Sequence, residues 1–542
     1  MVAGRVSRSA VWGAGLCFIV ALGPVGRAAD VRTRPPNILF CIADDASYQH
    51  FSAYGCRWVN TPAFDRLAQE GILFNRAYTP NAKCAPSRAI VLTGRNSWQL
   101  ESAANHGGYY PKGYRTFMEA LGQHGYFVGF TGKPWAPGDP GTIDGRPREL
   151  CGPAYNKIKT TPPTSEISPI DYAANFAEFL QRRPAGQPFC FWYGSHEPHR
   201  PYAFGSGVKL AKKSPAQIDR VPPYWPDTDA VRNDMLDYAL EVEYFDRQLG
   251  LILDLLAKSG EQENTIVVVT SDNGMPFPRS KGATYEISMH MPLAVRWPVG
   301  VVHPGRKVDD YVSFADFAPT FMAMAGLSAT EAGMEPMSGL SLLNILRDAQ
   351  PGRIEAGRES LLLGQERHDV GRPDDVGYPV RGIFADGFLF LHNFEPARWP
   401  MCDPISGYLN TDGSPTKTAV LDENRHGVNH WRWELDFGRR PLDELYDLAR
   451  DPDCMANLAT VPGQAVRLEQ MRQRLFAALR AQHDPRIEGK GAVFDQYPNA
   501  GPAHDFYTRR ILHGEKVSAN WANESDFESP DFDPERPLAN RK

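Results

Sequence analysis

Residues 37–45 read Asn37-Ile38-Leu39-Phe40-Cys41-Ile42-Ala43-Asp44-Asp45, an apolar run of strand length that ends in two carboxylates. A run without polar alternation is typical of a strand buried on both faces. Further strands are predicted at residues 126–130, 189–193, 265–270 and 293–297, and helical patterns separate them at residues 115–124, 172–181, 232–258 and 314–324. Apolar strands that alternate with helices predict an α/β fold with a large, mostly parallel sheet flanked by helices.

The composition is that of a large globular protein. The chain has 542 residues, of which 42% are hydrophobic and 23% are charged, so it is long enough for a sizeable core. The formal net charge of −6 argues against a nucleic-acid-binding protein. The 48 glycines and 46 prolines indicate many loops on the scaffold.

The N-terminus has the pattern of an export signal. Arg5 and Arg8 precede an apolar stretch at residues 11–23, and Gly26-Arg27-Ala28 supplies small residues before a cut. We therefore predict a signal peptide over residues 1–28, cleavage near Ala28, and a periplasmic or secreted protein. The stretch is short for a bilayer span, although a retained anchor is the alternative. No later apolar run is long enough to predict a membrane span in the mature chain.

The cysteine spacing argues against a zinc ribbon, because the chain contains no Cys-x-x-Cys pair. Cys41 and Cys190 lie in predicted strands, which favours buried thiols. Cys402 and Cys454 lie in a loop-rich region of a protein predicted to be exported and could form a disulfide, but the sequence leaves their pairing open.

Polar residues follow two of the predicted strands. Asp44 and Asp45 follow the first strand, and Asp272 and Asn273 follow the strand at residues 265–270. Ligands bind in such sheets at the carboxyl ends of strands, and adjacent carboxylates repel one another unless a cation holds them. Oxygen ligands of this kind suit Ca²⁺, or Mg²⁺, better than zinc. Each pair alone could instead cap a helix or a turn.

The segment Cys84-Ala85-Pro86-Ser87-Arg88, followed by Thr93-Gly94-Arg95, resembles the signature of the type I sulfatases. The resemblance implies that a formylglycine-generating or sulfatase-maturating enzyme oxidises Cys84 to Cα-formylglycine, whose hydrate is the nucleophile. An ordinary Ser or Cys nucleophile would remain sulfated, because it has no group that can expel the sulfate. The second hydroxyl of the hydrate expels sulfate and regenerates the aldehyde. A small buried thiol is the alternative interpretation of Cys84.

The resemblance extends over most of the chain. Its further motifs are the opening strand at residues 36–45, the segment 67–78, Gly132-Lys133, residues 195–199, residues 281–286, and the closing segment 444–458. The family implies an alkaline-phosphatase-like α/β domain plus a smaller C-terminal domain with an antiparallel sheet. It also implies one divalent cation and a sulfated saccharide substrate.

The family motifs imply a role for each matching residue. Cys84 would be both nucleophile and metal ligand, and its metal partners would be Asp44, Asp45, Asp272 and Asn273. Arg88, one helical turn after Cys84, would hold the diol and the sulfate oxygens. Lys133 and Lys281 would neutralise charge that develops on the sulfuryl oxygens. His199 is the candidate acid or base at the leaving group, with His196 beside it as a substrate-binding residue.

One position departs from the family pattern. The family has a histidine two residues after the lysine of the Gly-Lys motif, where this chain has Trp135. Because tryptophan cannot transfer a proton, either His199 protonates the leaving group alone or a nearby histidine such as His106 or His124 does so. Otherwise the leaving group needs less help, or the enzyme is impaired.

Within the family, several segments resemble the heparan N-sulfatase (N-sulfoglucosamine sulfohydrolase) subfamily. These segments are residues 196–200, 272–278, 367–370, 379–381, 391–393 and 483–485. The resemblance implies an exo-acting pocket that removes N-linked sulfate from a terminal glucosamine of heparan-type saccharides, lined by His368, Asp369 and Arg381. An O-sulfatase acting on another sulfated polysaccharide is the alternative, because that subfamily has the histidine that Trp135 replaces.

Composition places the domain boundaries. We predict a catalytic domain at residues 35–350, a smaller α+β subdomain at residues 355–485, and an extended polar tail at residues 486–542 that wraps over the subdomain or is partly disordered. Two rival functions remain. A phosphate or phosphonate ester hydrolase of the same superfamily would carry more metal ligands, and a catalytically impaired glycan-binding relative would not need the motif at Cys84.

Overall fold

A computed structural model describes residues 1–5 and 34–533. Its strands are β1 Asn37–Ala43, β2 Ile72–Phe74, β3 Ala77–Tyr78, β4 Phe127–Gly132, β5 Thr142–Ile143, β6 Arg146–Pro147, β7 Phe189–Gly194, β8 Thr265–Ser271, β9 His290–Met291, β10 Leu293–Arg296, β11 Arg306–Val308, β12 Val312–Ser313, β13 Ser360–Gln365, β14 Val380–Ala385, β15 Phe388–Asn393 and β16 Asp443–Asp447. The strands predicted from apolar runs are present, with ends shifted by one or two residues.

The α-helices surround these strands. They are α1 Pro62–Glu70, α2 Cys84–Thr93, α3 Phe117–Gln123, α4 Tyr172–Arg182, α5 Ser206–Lys209, α6 Asp229–Lys258, α7 Glu286–Met289, α8 Phe317–Met324, α9 Leu343–Arg347, α10 Pro415–Arg425, α11 His430–Asp436, α12 Ala465–Ala481 and α13 Val493–Gln496. α1 begins at Pro62, whose fixed φ suits the first helical position and whose missing N–H would have no partner there.

Seven strands form the large sheet, in the order β11-β2-β10-β8-β1-β7-β4. The block β8-β1-β7-β4 is parallel throughout, whereas β10 runs antiparallel to both β8 and β2. The predicted α/β class is confirmed, and the sheet is mixed, with its four-stranded parallel block running from β8 to the edge strand β4. This arrangement places the carboxyl ends of four neighbouring strands at one edge.

β1 contributes to a separate hydrophobic core on each face of the sheet. Leu39 and Cys41 pack into one core together with α1, α4 and α6. Ile38 and Phe40 pack into the other core with α2, α3 and α8. Since successive side chains of a strand point to opposite faces, a continuous apolar run is what a sheet covered on both faces requires.

The C-terminal part contains a second sheet. β13, β14, β15 and β16 pair in sequence order, and every pair is antiparallel. Phe388 and Phe390 of β15 face α12, whereas Leu389 and Leu391 pack into the core shared with the large sheet. The antiparallel sheet that the family resemblance implied is therefore present, and one of its faces covers the large domain.

Residues 486–533 pack on the loops beside the second sheet. Ala503, Phe506 and Val517 form a small hydrophobic cluster with Leu409 and Cys402. Asp526 of this segment also forms a buried ion pair with Lys417 of α10, whose Nζ lies 3.1 Å from Asp526 Oδ2. These contacts fix residues 499–528 against the loop at residues 400–417.

Two sequence predictions concern the chain ends and the cysteines. The predicted signal peptide falls largely on residues 6–33, which lie outside the described residues. Between residues 34 and 533, no helix is long and apolar enough to cross a membrane. The suggested Cys402–Cys454 disulfide is not formed, because both are buried free thiols and Cys402 Sγ instead lies 3.2 Å from the Val370 carbonyl oxygen.

Candidate active site

The site residues lie at the carboxyl ends of the four parallel strands. Lys133 follows β4, the segment 195–200 follows β7, Asp44 and Asp45 follow β1, and Asp272 follows β8. Because these strands are neighbours and run in the same direction, residues far apart in sequence meet at one edge of the sheet. Cys84 reaches the same edge as the first residue of α2.

Three carboxylates form a buried cluster with Cys84. The ligand atoms of Asp44, Asp45, Asp272 and Cys84 all lie within 4.8 Å of one another. Asn273 joins them, because its Nδ2 donates to Asp45 Oδ1 at 2.8 Å. Asp45 has a φ of 74°, a strained conformation for a residue with a side chain, of a kind found at functional sites.

The cluster fits a divalent cation. Asn273 Oδ1 is buried and has no hydrogen-bond partner within the described part of the chain, so an oxygen ligand is free there. Burial and the charge of Asp44 raise the pKa of Asp272 to about 7, against the opposing effect of Arg88. Carboxylates that ionise with such difficulty favour a hard cation, and the oxygen-rich donor set suits Ca²⁺ or Mg²⁺.

Cys84 is buried at the N-terminus of α2. Its side chain is 1% exposed, and the Sγ atom lies 3.3 Å from Asp44 Oδ1 and 3.7 Å from Asp45 Oδ1. Burial, followed by the charge of Asp44, raises the pKa of the thiol well above its ordinary value. The unmodified thiol is therefore protonated, and the partial positive charge at the helix N-terminus does not make it a thiolate.

Arg88 lies at the carboxylate cluster, and its contacts there are with protein groups. Its side chain is 0% exposed and does not line the cavity in front of Cys84. The Nε atom donates to Asp272 Oδ2 at 2.8 Å, and Nη1 donates to the carbonyl oxygens of Lys133 and Pro134. Because these donors are already used, Arg88 holds the carboxylates from behind.

Two lysines face the carboxylates from the cavity side. Lys133 Nζ donates to Asp44 Oδ2 at 2.6 Å, and Lys281 Nζ donates to Asp45 Oδ2 at 2.8 Å. Burial opposes the charge of each lysine, but Asp44 raises the pKa of Lys133 to about 12, and Asp412 and Asp45 raise that of Lys281 well above its ordinary value. Both lysines are therefore charged at neutral pH. Burial opposes ionisation of Asp44 as well, but Lys133, Arg88 and His199 hold its pKa well below the ordinary range.

His199 is tied to this network by both ring nitrogens. The Nδ1 atom lies 2.6 Å from the Arg200 carbonyl oxygen, which only accepts, so Nδ1 carries a hydrogen. Nε2 lies 3.0 Å from Lys281 Nζ and 3.8 Å from Asp45 Oδ2. In the neutral ring Nε2 is thus an acceptor, and it can donate a proton only after it has taken one. His196 is more exposed and also lines the cavity.

Trp135 does not take the place of the missing histidine in the cavity. It is 4% exposed and packs in the hydrophobic core, where its ring meets Tyr110 edge-on with centroids 5.1 Å apart. Its Nε1 atom is buried without a hydrogen-bond partner among the described residues. The residue is therefore a core residue, and the proton-donor position of the family has no counterpart at Trp135.

A cavity of about 660 Å³ opens in front of Cys84, within the size range of small-molecule sites. Of the predicted site residues it is lined by Asp44, Cys84, Lys133, His196, His199, Lys281 and Asp369. The cavity is larger than the cluster itself and has room for a saccharide beyond the sulfate group.

Two predicted substrate-binding residues do not line the cavity. Arg381 is 0% exposed and forms buried ion pairs with Glu366 and Asp484, at 2.7 and 2.6 Å. Its guanidinium links β14 to the chain after α12 and has no donor left for a ligand. His368 is buried between Gly282 and Asn81, whose oxygens lie 3.2 and 2.7 Å from its ring nitrogens. The substrate contacts predicted for these two residues are wrong, because both side chains are enclosed by protein.

The sequence indicated no role for Lys83 or Asp412, whereas it did point to His106 as a candidate proton donor. Lys83 Nζ forms an ion pair with Asp369 Oδ2 at 2.5 Å, and His106 Nδ1 lies 3.2 Å from the other oxygen of that carboxylate. Asp412 Oδ2 accepts from Lys281 Nζ at 2.8 Å. Lys83 could have been noted as the neighbour of Cys84. Asp412 carried no signal, since it lies alone in a loop and far from Lys281 in sequence.

Comparison with known proteins agrees with this geometry. A family model described as Sulfatase matches residues 36–327, more than half of the chain. Human N-sulphoglucosamine sulphohydrolase is 29% identical over 507 residues, which cover 88% of this chain and 96% of that protein. An ulvan-active sulfatase of Formosa agariphila is 27% identical over 462 residues, which cover 83% and 81%.

The structural comparison supports the fold. A protein solved in complex with its substrate D-glucosamine-2-N,6-O-disulfate superposes with a TM-score of 0.59 and 20% identity, covering 85% of this chain and 99% of that one. The alkaline-phosphatase-like fold that the motifs implied is thereby confirmed. Because the family model spans the segments that contain Asp44, Cys84, Lys133, His199 and Asp272, the chain belongs to the sulfatase family of sulfate ester hydrolases.

Proposed function

We propose that the protein is an exported sulfatase that removes sulfate from sulfated saccharides, and that its preferred substrate carries N-linked sulfate on a terminal glucosamine. The observation that carries the proposal is the meeting of Cys84 with the Asp44, Asp45 and Asp272 carboxylates beside one cavity, which Cys84 and Asp44 line. The substrate is supported by the 29% identity to the human enzyme over 88% of the chain.

Asp44, Asp45, Asp272, Asn273 and the modified Cys84 would hold the cation. When bound, the cation supplies positive charge that polarises the sulfate group and lowers the pKa of a neighbouring hydroxyl. Within the described part of the chain, the carboxylates of Asp44, Asp45, Asp272 and Asp412 form ion pairs with three permanently charged side chains, Arg88, Lys133 and Lys281. A divalent cation would therefore make the centre net positive, as the binding of a sulfate ester requires.

Cys84 Sγ stands where an oxygen of the formylglycine hydrate would lie. That hydrate supplies a hydroxyl nucleophile and a second hydroxyl for release of sulfate. Because Cys84 is 1% exposed and begins a fully buried helix, a modifying enzyme would have no access to it in the folded protein. We infer that a formylglycine-generating enzyme acts on the chain before this helix packs.

The remaining residues of the site would bind and orient the substrate. Lys133 and Lys281 line the cavity as buried charged donors and would hold the sulfuryl oxygens as the bond to the leaving group breaks. Asp412 keeps Lys281 beside His199, with Lys281 Nζ 3.0 Å from His199 Nε2. His199 would take a proton at Nε2 and pass it to the leaving nitrogen or oxygen.

Replacing His199 tests the source of this proton. We expect His199→Gln to lower kcat for a saccharide sulfate by about 10²- to 10⁴-fold, the usual contribution of a positioned general acid. The loss should be much smaller with 4-nitrophenyl sulfate, whose leaving group departs without a proton. Steady-state kinetics on both substrates check this, with His303→Gln as the surface control.

Equal losses on the two substrates would contradict proton donation by His199 and indicate a positioning role. His106→Gln belongs in the same comparison, because His106 also lines the cavity and is supported by Asp369. If His106→Gln selectively impairs the saccharide sulfate while His199→Gln does not, the donor role belongs to His106.

The substrate proposal is tested by direct comparison of linkages. We expect sulfate release from N-sulfoglucosamine to exceed that from 6-O-sulfo-N-acetylglucosamine, measured as kcat/KM at equal cation concentration. The reverse order would refute the N-linked preference while leaving the sulfatase function intact. If the cavity accepts only the ends of saccharide chains, a saccharide whose terminal sugar has been chemically blocked should not release sulfate.

An O-sulfatase acting on another polysaccharide is the second candidate, and the 27% identity to an ulvan-active sulfatase favours it. A phosphate or phosphonate ester hydrolase with a second metal is less well supported. The candidate metal-binding groups in the described part of the chain all contain Asp44 or Asp45, so they form one centre.

A further inference from the structure

We infer that the C-terminal segment at residues 499–521 forms a wall of the substrate cavity, and that Trp521 is the platform on which a sugar ring of the substrate stacks. The inference rests on the proposed saccharide substrate and adds the residue that recognises the sugar rather than its sulfate. It concerns a part of the chain that lies beyond residues 36–327, the range matched by the sulfatase family model.

The wall is defined by the residues that line the cavity. Asn499, Pro502, Ala503 and Trp521 border the same cavity as Cys84. Trp521 is the only Trp, Phe or Tyr among the lining residues between positions 34 and 533. An indole presents a large, rigid apolar face, which suits the C–H face of a sugar ring.

The ring of Trp521 is already held in place. Its Nε1 atom donates to the Leu409 carbonyl oxygen at 2.8 Å, and its own carbonyl oxygen accepts from the Gly413 N–H at 2.7 Å. The side chain also packs against the hydrophobic cluster around Phe506. A ring fixed before binding loses little conformational entropy when a ligand stacks on it.

The segment that carries Trp521 is anchored at its other end as well. The Ala500 N–H donates to the Gly107 carbonyl oxygen at 2.7 Å, next to His106. The Asp505 N–H donates to Asp375 Oδ2 at 2.6 Å. The wall is thus a fixed part of the cavity, joined to loops of both sheets.

One loop, at residues 409–413, holds both Trp521 and Lys281 in place. Leu409 and Gly413, which hold Trp521, flank Asp412, which holds Lys281. The distance between the indole and the centre at Cys84 is therefore set by three hydrogen bonds to one short loop. Such a frame would select a substrate by the separation of its sugar face from its sulfate group.

The test separates recognition of sugar from recognition of sulfate. In the full chain carrying Cys84→Ala to prevent turnover, calorimetry would give the Kd of N-sulfoglucosamine, of 6-O-sulfo-N-acetylglucosamine and of inorganic sulfate. We expect Trp521→Ala to raise the saccharide Kd about tenfold and to change the sulfate Kd by less than about twofold, as for loss of an aromatic anchor.

Two further variants control for folding and for tryptophan loss in general. Trp521→Phe keeps an aromatic face but loses the bond to Leu409, so it should bind the saccharide more tightly than Trp521→Ala does. Trp431→Ala removes a 40% exposed indole elsewhere and should change no Kd.

The inference is overturned if Trp521→Ala leaves the saccharide Kd unchanged, if it weakens sulfate binding equally, or if neither saccharide binds. A preference for the O-sulfated sugar with the Trp521 effect intact would instead refute only the proposed N-linked substrate.

Discussion

Replacing Cys84 by Ala is expected to abolish sulfate release, with kcat reduced by at least about 10⁴-fold, because the loss of a nucleophile removes the whole covalent route. The fold should survive, since Cys84 contributes a small side chain whose hydrogen-bond partners among residues 34–533 are Asp44 and Asp45. Sulfate release from a saccharide sulfate and the thermal unfolding midpoint are the two measurements.

The matched control is Cys56→Ala, a partly exposed cysteine outside the cavity, which should retain activity. Mass spectrometry of the peptide that contains Cys84 adds an independent check. In active protein this residue should have the mass of formylglycine, with an aldehyde in place of the CH2–SH group of cysteine. Full activity in a preparation that contains only the unmodified thiol would refute the formylglycine nucleophile.

Removal of the cation is expected to have the second largest effect. A chelator should lower activity by more than about 100-fold, the upper range for loss of a residue that merely supports a metal ligand. Ca²⁺ or Mg²⁺ should restore it. The cation should also raise the unfolding midpoint, because it binds the folded chain and relieves repulsion among Asp44, Asp45 and Asp272.

Asp45→Asn should reproduce the chelated state, with weak activity and a smaller stabilisation by added cation. Asp219→Asn is the control, since Asp219 forms an exposed ion pair with Arg57 on the surface. If the chelator changes neither activity nor the unfolding midpoint, the cluster does not work as a cation site. Titration of the chelator-treated protein with each cation would show whether Ca²⁺ or Mg²⁺ restores activity at the lower concentration.

Much of the fold could be predicted from local sequence patterns. The run at residues 37–43 has no polar alternation because both faces of β1 are covered, and that covering is the property that places β1 in the middle of the sheet. The antiparallel direction of β10 could not be predicted in this way. Its apolar pattern is the same in either direction, so only pairing with β8 and β2 reveals it.

Some site residues could likewise be predicted from the sequence, whereas others could not. Asp44, Asp272 and Lys133 directly follow strands, so the topology that brings the strands together also brings these side chains together. Arg381 also sits in a recognisable motif, yet its charge is used in ion pairs with Glu366 and Asp484. A motif gives the residue type and its place along the chain, whereas burial decides whether a ligand can reach it.

The sequence by itself determined the nucleophile motif at Cys84, the carboxylates at the strand ends and the α/β class, because each depends on neighbouring residues or on a local period. Only the tertiary structure decided that Asp412 supports Lys281, that Trp135 belongs to the core and that Trp521 borders the cavity. These features depend on contacts between loops that are distant in sequence, and loops carry no periodicity from which such contacts could be predicted.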